Sequence, residues 1–459
     1  MSVQDAMFLH VENDVTPMHI GGVSIFEGPP PDFGDLRAMV QGKLHLTPRY
    51  RQKVRFVPLG MGEPVWVDDP HFNIDYHLRH SAVPSPGTEA QLRATAARVF
   101  SQHLDRARPL WEIWMVEGLE DERWALLSKV HHCMVDGVAA TDLMSLMFGD
   151  TDVPSNGEVW QPDPEPSGLE LIAYSARHRV QDPAAQVRFA LRAPTEMLHA
   201  MAGAARALAA AAPAMRPSTS SLTGAIGPHR VWSWAKVSLA DVKQVRSGLG
   251  GTVNDVVLTL ITNGYRKLLE ERGEVIYADG VVRTMVPVSV RAPGERGEYN
   301  NRVSAVFAKL PVGIEDPAER LADLREQMDG IKSSKQAVAG DALAQLSGFA
   351  PPLLLALGSR VATRSARLNM DTATTNVPGP QLPMHTLDRT LLASYPYVPI
   401  VGTIRIVVAI FSYNGDLYFG VTGDRDHAPD IDVLTAGIEA DIKSLLERAA
   451  AAPVAERAE

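Results

Sequence analysis

The 459-residue chain is 45% hydrophobic and 21% charged, an ordinary globular composition long enough for two domains. Its 44 basic and 54 acidic residues leave a net charge of -10, which argues against broad electrostatic capture of nucleic acid or acidic membrane surfaces. Cys133 is the only cysteine, so no intramolecular disulfide forms and a reducing, cytoplasmic setting is expected.

The first ten residues lack a basic flank and an apolar run, and no secretory signal is read there. Ser2 and Asp5 have capping-box spacing for a short helix through Leu9. Met18 to Glu27 reads as a strand, Asp35 to Leu44 as a helix, and Val54 to Leu59 as strand-like after the basic cluster Pro48 to Lys53. That cluster is either a solvated face or a phosphate contact. Thr88 to Gln91 caps a helix to about Phe100. Trp111 to Leu119 and Trp124 to Val130 form a hairpin across a charged turn. It delivers His131-His132-Cys133-Met134-Val135-Asp136-Gly137 to a strand end. Val138, Asp142, Leu143, Leu146 and Met147 then carry helical spacing.

Prolines 154, 162, 164 and 166 mark a linker, so a first domain is expected over 1–150 and a Pro-rich, helical connector over 151–217. Within it Met197 to Met215 is mostly alanine, with His199, Arg206 and Pro213, and falls short of the ~20 strongly apolar residues of a membrane span. A second domain is expected over 218–459. Ser238 to Asp241 and Thr252 to Asp255 start helices, placing Asn254 and Asp255 in a first turn. Val281 to Val290 and Val303 to Val312 are strand-like. Pro317 to Ile331 and the apolar stretch from Pro351 are helical. Thr374 to Pro380 reads as a turn or loop held by two prolines. Asn414-Gly415 joins the strands Thr403 to Tyr413 and Asp416 to Thr422, and Ile431 to Leu445 is an amphipathic closing helix.

The histidine motif is the chemical centre of the sequence. An imidazole can take the proton of an alcohol as it attacks an activated acyl group, an effect of about 100- to 10,000-fold in rate. Asp136 either orients that imidazole or braces the loop, and Gly137 permits a backbone shape or close ligand approach closed to other residues. The spacing does not suit a metal site. Cys133 should face away from His132 and be an inert, buried thiol. Alone, the motif is also compatible with a structural histidine pair.

Together, HHCMVDG at 131–137, Pro109-Leu110-Trp111, Asn254-Asp255 and Thr375-Asn376-Val377-Pro378-Gly379-Pro380 closely resemble the bacterial wax ester synthase/diacylglycerol acyltransferase family, in texture its actinobacterial triacylglycerol synthases. Also similar are Asp5-Ala6-Met7-Phe8, Pro17 to Gly21, Pro48-Arg49, Asp105 to Trp111, Leu222-Thr223-Gly224 with Ile226-Gly227, and Ser412 to Gly415, so the likeness covers nearly the whole chain. HHxxxDG by itself would not separate this family from peptide-synthetase condensation domains or other chloramphenicol-acetyltransferase-like enzymes.

The resemblance implies two chloramphenicol-acetyltransferase-like domains, α/β with mixed sheets, joined by the helical linker and meeting at a central tunnel. It implies transfer of a long-chain acyl group from acyl-CoA, a co-substrate rather than a bound cofactor, to diacylglycerol or a long-chain alcohol. By the same carry-over His132 is the general base, His131 its support and Asp136 mainly structural. Gly137, Asn254, Asp255, Asn376, Pro378 and Gly379 shape the site or tunnel. Thr375 stands where serine is commoner, and the hydroxyl is kept. No metal and no nucleic acid are expected; the acceptor's insolubility suggests peripheral contact with the inner membrane or lipid inclusions. The competing readings are a condensation-type acyltransferase using a carrier-bound thioester and a non-catalytic protein that binds lipid inclusions.

Overall fold

The computed structural model describes residues 1–60, 62–134, 147–148, 160–180, 220–289, 303–333 and 370–451. The expected helix after Gly137, most of the Pro-rich linker, the connector beyond Val180 and the stretch from Pro351 lie outside them.

In the N-terminal half, α1 (Val3–Val11) starts where Ser2 accepts the Asp5 amide at 3.1 Å. It runs two residues beyond the expected Leu9. Then come β1 (His19–Phe26), α2 (Phe33–Lys43), β2 (Gln52–Arg55), β3 (Val65–Asp68), α3 (Ile74–His77) and β4 (Leu78–Ala82). The expected strand at Val54 to Leu59 is displaced: pairing stops at Arg55, and Leu59, at φ 58°, sits in a turn that begins at Pro58. Helix α4 (Glu89–Ser101) has the anticipated capping box, with Thr88 and Gln91 bonding reciprocally. Hairpin β5 (Trp111–Glu117) and β6 (Trp124–His131) follows.

Helix α5 (Gly168–Val180) precedes the second half. That half holds β7 (Arg230–Ser238), α6 (Leu239–Leu249), α7 (Val253–Glu271), β8 (Val282–Ser289), β9 (Val303–Leu310), α8 (Pro317–Ser333), β10 (Thr372–Pro378), β11 (His385–Thr386), β12 (Arg389–Tyr397), β13 (Ile406–Tyr413), β14 (Asp416–Asp424) and α9 (Ile431–Ala451). The Asn-Gly hairpin forms as expected, with Asn414 at φ 44° and Gly415 at φ 87°, the double positive φ that a tight two-residue turn requires.

Two six-stranded mixed sheets organise the chain. The first has order β11-β12-β1-β6-β5-β4, the second β7-β14-β13-β10-β8-β9. The first is therefore completed by strands from the far C-terminal half. Glycines make that crossover fit: a Cβ on Gly21 would lie 1.9 Å from the Ser128 carbonyl oxygen, and one on Gly22 2.7 Å from that of Tyr395. Only bare backbone lets β6 and β12 close on β1 from both sides. Trp232, Trp234, Tyr395 and Tyr397 join the core of the first sheet. A second core packs α7 and α9 on the other sheet.

The stretch Thr374 to Pro380 is not the loop its prolines suggest. Most of it is β10, an interior strand parallel to both β13 and β8. Its inward hydroxyls are satisfied inside the sheet: Thr372 with Tyr265 and the Ile406 carbonyl, and Thr374 with Thr284. Proline is confined to the strand's end, where no further ladder bond is needed.

Candidate active site

Strand β6 carries the histidine pair. All eight of its residues are buried between β1 and β5, and a single 3-10 turn, His132–Met134, then lifts the chain out of the sheet. The two rings separate there. His131 is fully buried, whereas His132 is half-buried.

His131 is held from two sides. The Cys133 amide donates to its Nδ1 at 3.1 Å, so Nδ1 is the acceptor and the network places the proton on Nε2. Nε2 faces Glu12 Oε2 at 3.6 Å, an ion-pair distance rather than a full hydrogen bond. Glu12 caps the C-terminus of α1. Its carboxylate accepts the Met18 amide at 3.0 Å and Arg106 Nε at 2.7 Å, and Arg106 also donates to the Leu9 carbonyl at 2.8 Å. Burial alone would raise this carboxyl, but the His131 ring, the Met18 amide and Arg106 outweigh it and hold the pKa at about 2. A permanent negative charge therefore backs His131.

His132 is placed by its backbone and by one aromatic face. Its amide donates to the Met18 carbonyl at 2.8 Å, and its ring stacks on Phe8 with centroids 3.7 Å apart and planes 18° from parallel. Among the described residues Nδ1 is buried without a hydrogen-bond partner, and the residue as a whole is only half-buried. Burial lowers the pKa to about 4; the residue's own carbonyl opposes that shift, and His131 adds to it. The ring is consequently neutral at pH 7 and able to accept a proton at Nε2.

Cys133 is 3% exposed. Burial, with Asp5 and Glu12 adding to it, pushes its thiol well up, so no thiolate is available as nucleophile. His19 lies directly across from His131 on β1. It is fully buried, stacks on Tyr397 at 5.5 Å, and is driven well below its ordinary pKa by burial, then by Lys129 and His131.

In the second half, Asp255 is 2% exposed and spends its carboxylate on the start of α7, accepting the Thr252 amide at 2.7 Å while Thr252 Oγ1 accepts the Asp255 amide at 3.2 Å. Asn254, beside it, is brought to Asn376 of β10, Oδ1 to Nδ2, at 3.5 Å. Pro378 ends that strand, and the Gly379 amide donates to Ser412 Oγ at 3.0 Å. A Cβ on Gly379 would lie 2.3 Å from both Phe411 Cζ and the Ser412 carbonyl oxygen, so glycine is required by close approach rather than by a turn. Among the described residues no hydrogen bond or ring contact links this group to the histidine pair. Asp136 and Gly137 lie outside the described residues.

The basic cluster is engaged internally rather than forming a solvated face. Arg49 lies 4.4 Å over Trp66, Arg51 lies 4.7 Å over Trp160, and Lys53 pairs with Glu165 at 3.0 Å. Sequence reading missed Glu12 and Arg106 and assigned no role to Phe8 or His19. The available signal was that Phe8, His19 and Arg106 fall inside stretches already singled out; Glu12, one residue beyond α1, carried none. Among the described residues no group of three or more His, Cys, Asp or Glu is placed to hold a metal ion, and no helix is long and apolar enough to cross a membrane.

Two mixed sheets with a histidine pair at the end of a buried central strand give the chain the chloramphenicol-acetyltransferase-like fold class. A family model for the wax ester synthase/diacylglycerol acyltransferase catalytic domain matches residues 1–257, and one for the WS/DGAT C-terminal domain matches residues 299–446. The chain belongs to the wax ester synthase/diacylglycerol acyltransferase family. It is 37% identical, over 97% of its length and 95% of the relative's, to a probable diacylglycerol O-acyltransferase, tgs1, of Mycobacterium tuberculosis. It is 30% identical to a second from that species, tgs2, over 97% and 98%. Its fold matches the wax ester synthase/diacylglycerol acyltransferase from Marinobacter aquaeolei VT8 with a TM-score of 0.70 at 24% identity, covering 98% and 99% of the two chains. A condensation domain, the first of the calcium-dependent antibiotic synthetase, matches with a TM-score of 0.56 at 15% identity, over 98% and 96%.

Proposed function

We propose that this acyltransferase moves a long-chain acyl group from acyl-CoA to the free hydroxyl of diacylglycerol, and of long-chain alcohols, with His132 as general base. The observation that carries the reading is the state of His132: neutral at pH 7, Nδ1 buried, and its ring fixed on Phe8. Nε2 takes the hydroxyl proton as that oxygen attacks the thioester carbonyl carbon. The tetrahedral intermediate then expels CoA sulfur, which leaves with the proton from His132. An activated donor makes a nucleophilic side chain unnecessary, in keeping with the inert Cys133.

His131, with Glu12 and Arg106 behind it, positions the strand end rather than exchanging protons with substrate. Asp136 serves as a brace of the same loop, and Gly137 allows close passage of the chain or ligand. Asn254, Asn376, Pro378 and Gly379 form the wall contributed by the second half of the chain, across a tunnel running between the two six-stranded sheets. Work at the surface of the inner membrane or of lipid inclusions follows from the acceptor's insolubility.

The test is release of CoA thiol from a long-chain acyl-CoA, with diacylglycerol and a long-chain alcohol offered separately and together. Release that requires a lipid alcohol supports the proposal. Release independent of acceptor, or none with either, would overturn it.

A further inference from the structure

On the far side of α4 from the first sheet lies a groove of about 710 Å³ between that helix and the loop entering α9. Among the described residues its charged lining is one-sided: Arg93, Arg98, His229, Arg230 and Arg425 against one carboxylate, Asp432. In a chain of net charge -10 such a concentration of cations is against the trend. Ala90, Ala94, Ala97 and Ser101 share one face of α4, and Arg93 and Arg98 flank it on either side.

The arginines differ in how they are used. Arg230 is 1% exposed and ties the halves together, its amide donating to Ser101 Oγ at 2.9 Å and its guanidinium to the carbonyls of Gly227 and Val15. Arg93 lies 3.9 Å from Asp432 and 5.3 Å over Trp234. Arg98 and Arg425 are exposed and, among the described residues, have no side-chain partner in an ion pair or hydrogen bond. Free guanidinium groups at the rim of a concave site with alanine, Ile431 and Trp232 in its walls suit a ligand with several phosphates and a flat apolar portion. A convex lipid surface would not enter such a groove.

The groove also adjoins the histidine side of the fold. Ser101 and Arg230 lie beside Phe100 and Tyr397, which stack at 4.0 Å, and Tyr397 stacks on His19, the neighbour of His131.

We propose that this groove holds the 3′-phospho-ADP end of the acyl-CoA donor, with Arg98 and Arg425 as its phosphate contacts. The inference rests on the CoA-thioester reading above and adds to it where the donor's anionic end is recognised.

The test uses the full chain and the double variant Arg98→Ala/Arg425→Ala. Both are assayed with palmitoyl-CoA, palmitoyl-dephospho-CoA and palmitoyl-pantetheine, and titrated with 3′,5′-ADP. Each lost charge-assisted phosphate contact is expected to weaken binding about tenfold. The double variant should therefore raise KM for palmitoyl-CoA by one to two orders of magnitude, with kcat within about twofold. It should lose 3′,5′-ADP binding and leave KM for palmitoyl-pantetheine unchanged. Restoring charge with Arg98→Lys/Arg425→Lys should recover most of the affinity. An unchanged KM for palmitoyl-CoA, or an equal rise for palmitoyl-pantetheine, overturns the assignment. So does loss of flotation with phosphatidylglycerol vesicles at unchanged KM, which would mark the groove as an anionic-lipid site. None of these results touches the proposed reaction, which fails only if the wild type transfers no acyl group from palmitoyl-CoA.

Discussion

Replacing Glu12 with glutamine keeps the side chain's shape and its acceptor for the Met18 amide, but removes the charge that Arg106 and His131 share. In the folded protein the carboxyl is held at about 2 against an ordinary value of 4.5, which corresponds to about 3 kcal/mol of stability at neutral pH. The group is 4% exposed, so little of this is screened by solvent. Because the folded pKa is depressed, the contribution is complete above 4.5 and is lost as the pH falls through 2. Glu12→Gln should therefore destabilise the protein by about 2–3 kcal/mol at pH 7, and by about half as much at pH 3. Urea unfolding followed by tryptophan fluorescence at both pH values measures the difference. Equal midpoints at pH 7, or a gap that stays constant on acidification, would refute the buried-carboxylate account of His131.

Three further expectations are independent of that site's charge. With His132 at about 4, it is unprotonated and competent well below neutrality, so kcat/KM should be flat from pH 5.5 to 7.5 on the acid side; a limb near pH 6.5 would show an unperturbed histidine instead. Thr252→Ala removes the cap of α7 and should cost about 1 kcal/mol, and Asp255→Ala about 2 kcal/mol because the Thr252 amide loses its carboxylate; unfolding midpoints equal to wild type would remove the capping role. Gly379→Ala forces a methyl against the Ser412 carbonyl and should cost about 1–3 kcal/mol; an unaffected midpoint would mean that β10 and β13 are less closely spaced than described.

Elements whose signal is local were legible in the sequence. The N-cap at Ser2, the capping boxes at Thr88 and Thr252, the alternation of β5 and β6, and the Asn-Gly turn each depend on neighbouring residues alone. What stayed hidden depends on distant partners. Strand β12 contains Pro396 and belongs to a sheet whose other long members precede residue 132, and no local pattern announces that crossover. Nor did Arg230 to Ser238 declare itself a strand beside β14. Two prolines made β10 look like a loop because its hydroxyl row is satisfied only by Tyr265, Thr284 and a backbone carbonyl in the assembled sheet.

The site divides the same way. Motif spacing singled out His131 and His132, whereas Asn254 and Asn376 were named only through the family resemblance; they come within 3.5 Å of each other in the structure. Glu12 was invisible: it is an ordinary acidic residue until folding buries it between Arg106 and His131. The different fates of two adjacent imidazoles, one enclosed and one half-open, likewise arise from the 3-10 turn that begins at His132.

The central claim is that His132 removes the acceptor's proton, and single-turnover acyl transfer from palmitoyl-CoA to diacylglycerol by His132→Ala tests it most directly. Truncating a half-buried ring should leave the unfolding midpoint close to wild type while the transfer rate falls by about 100-fold or more. Transfer at the wild-type rate by a normally folded His132→Ala protein would contradict it.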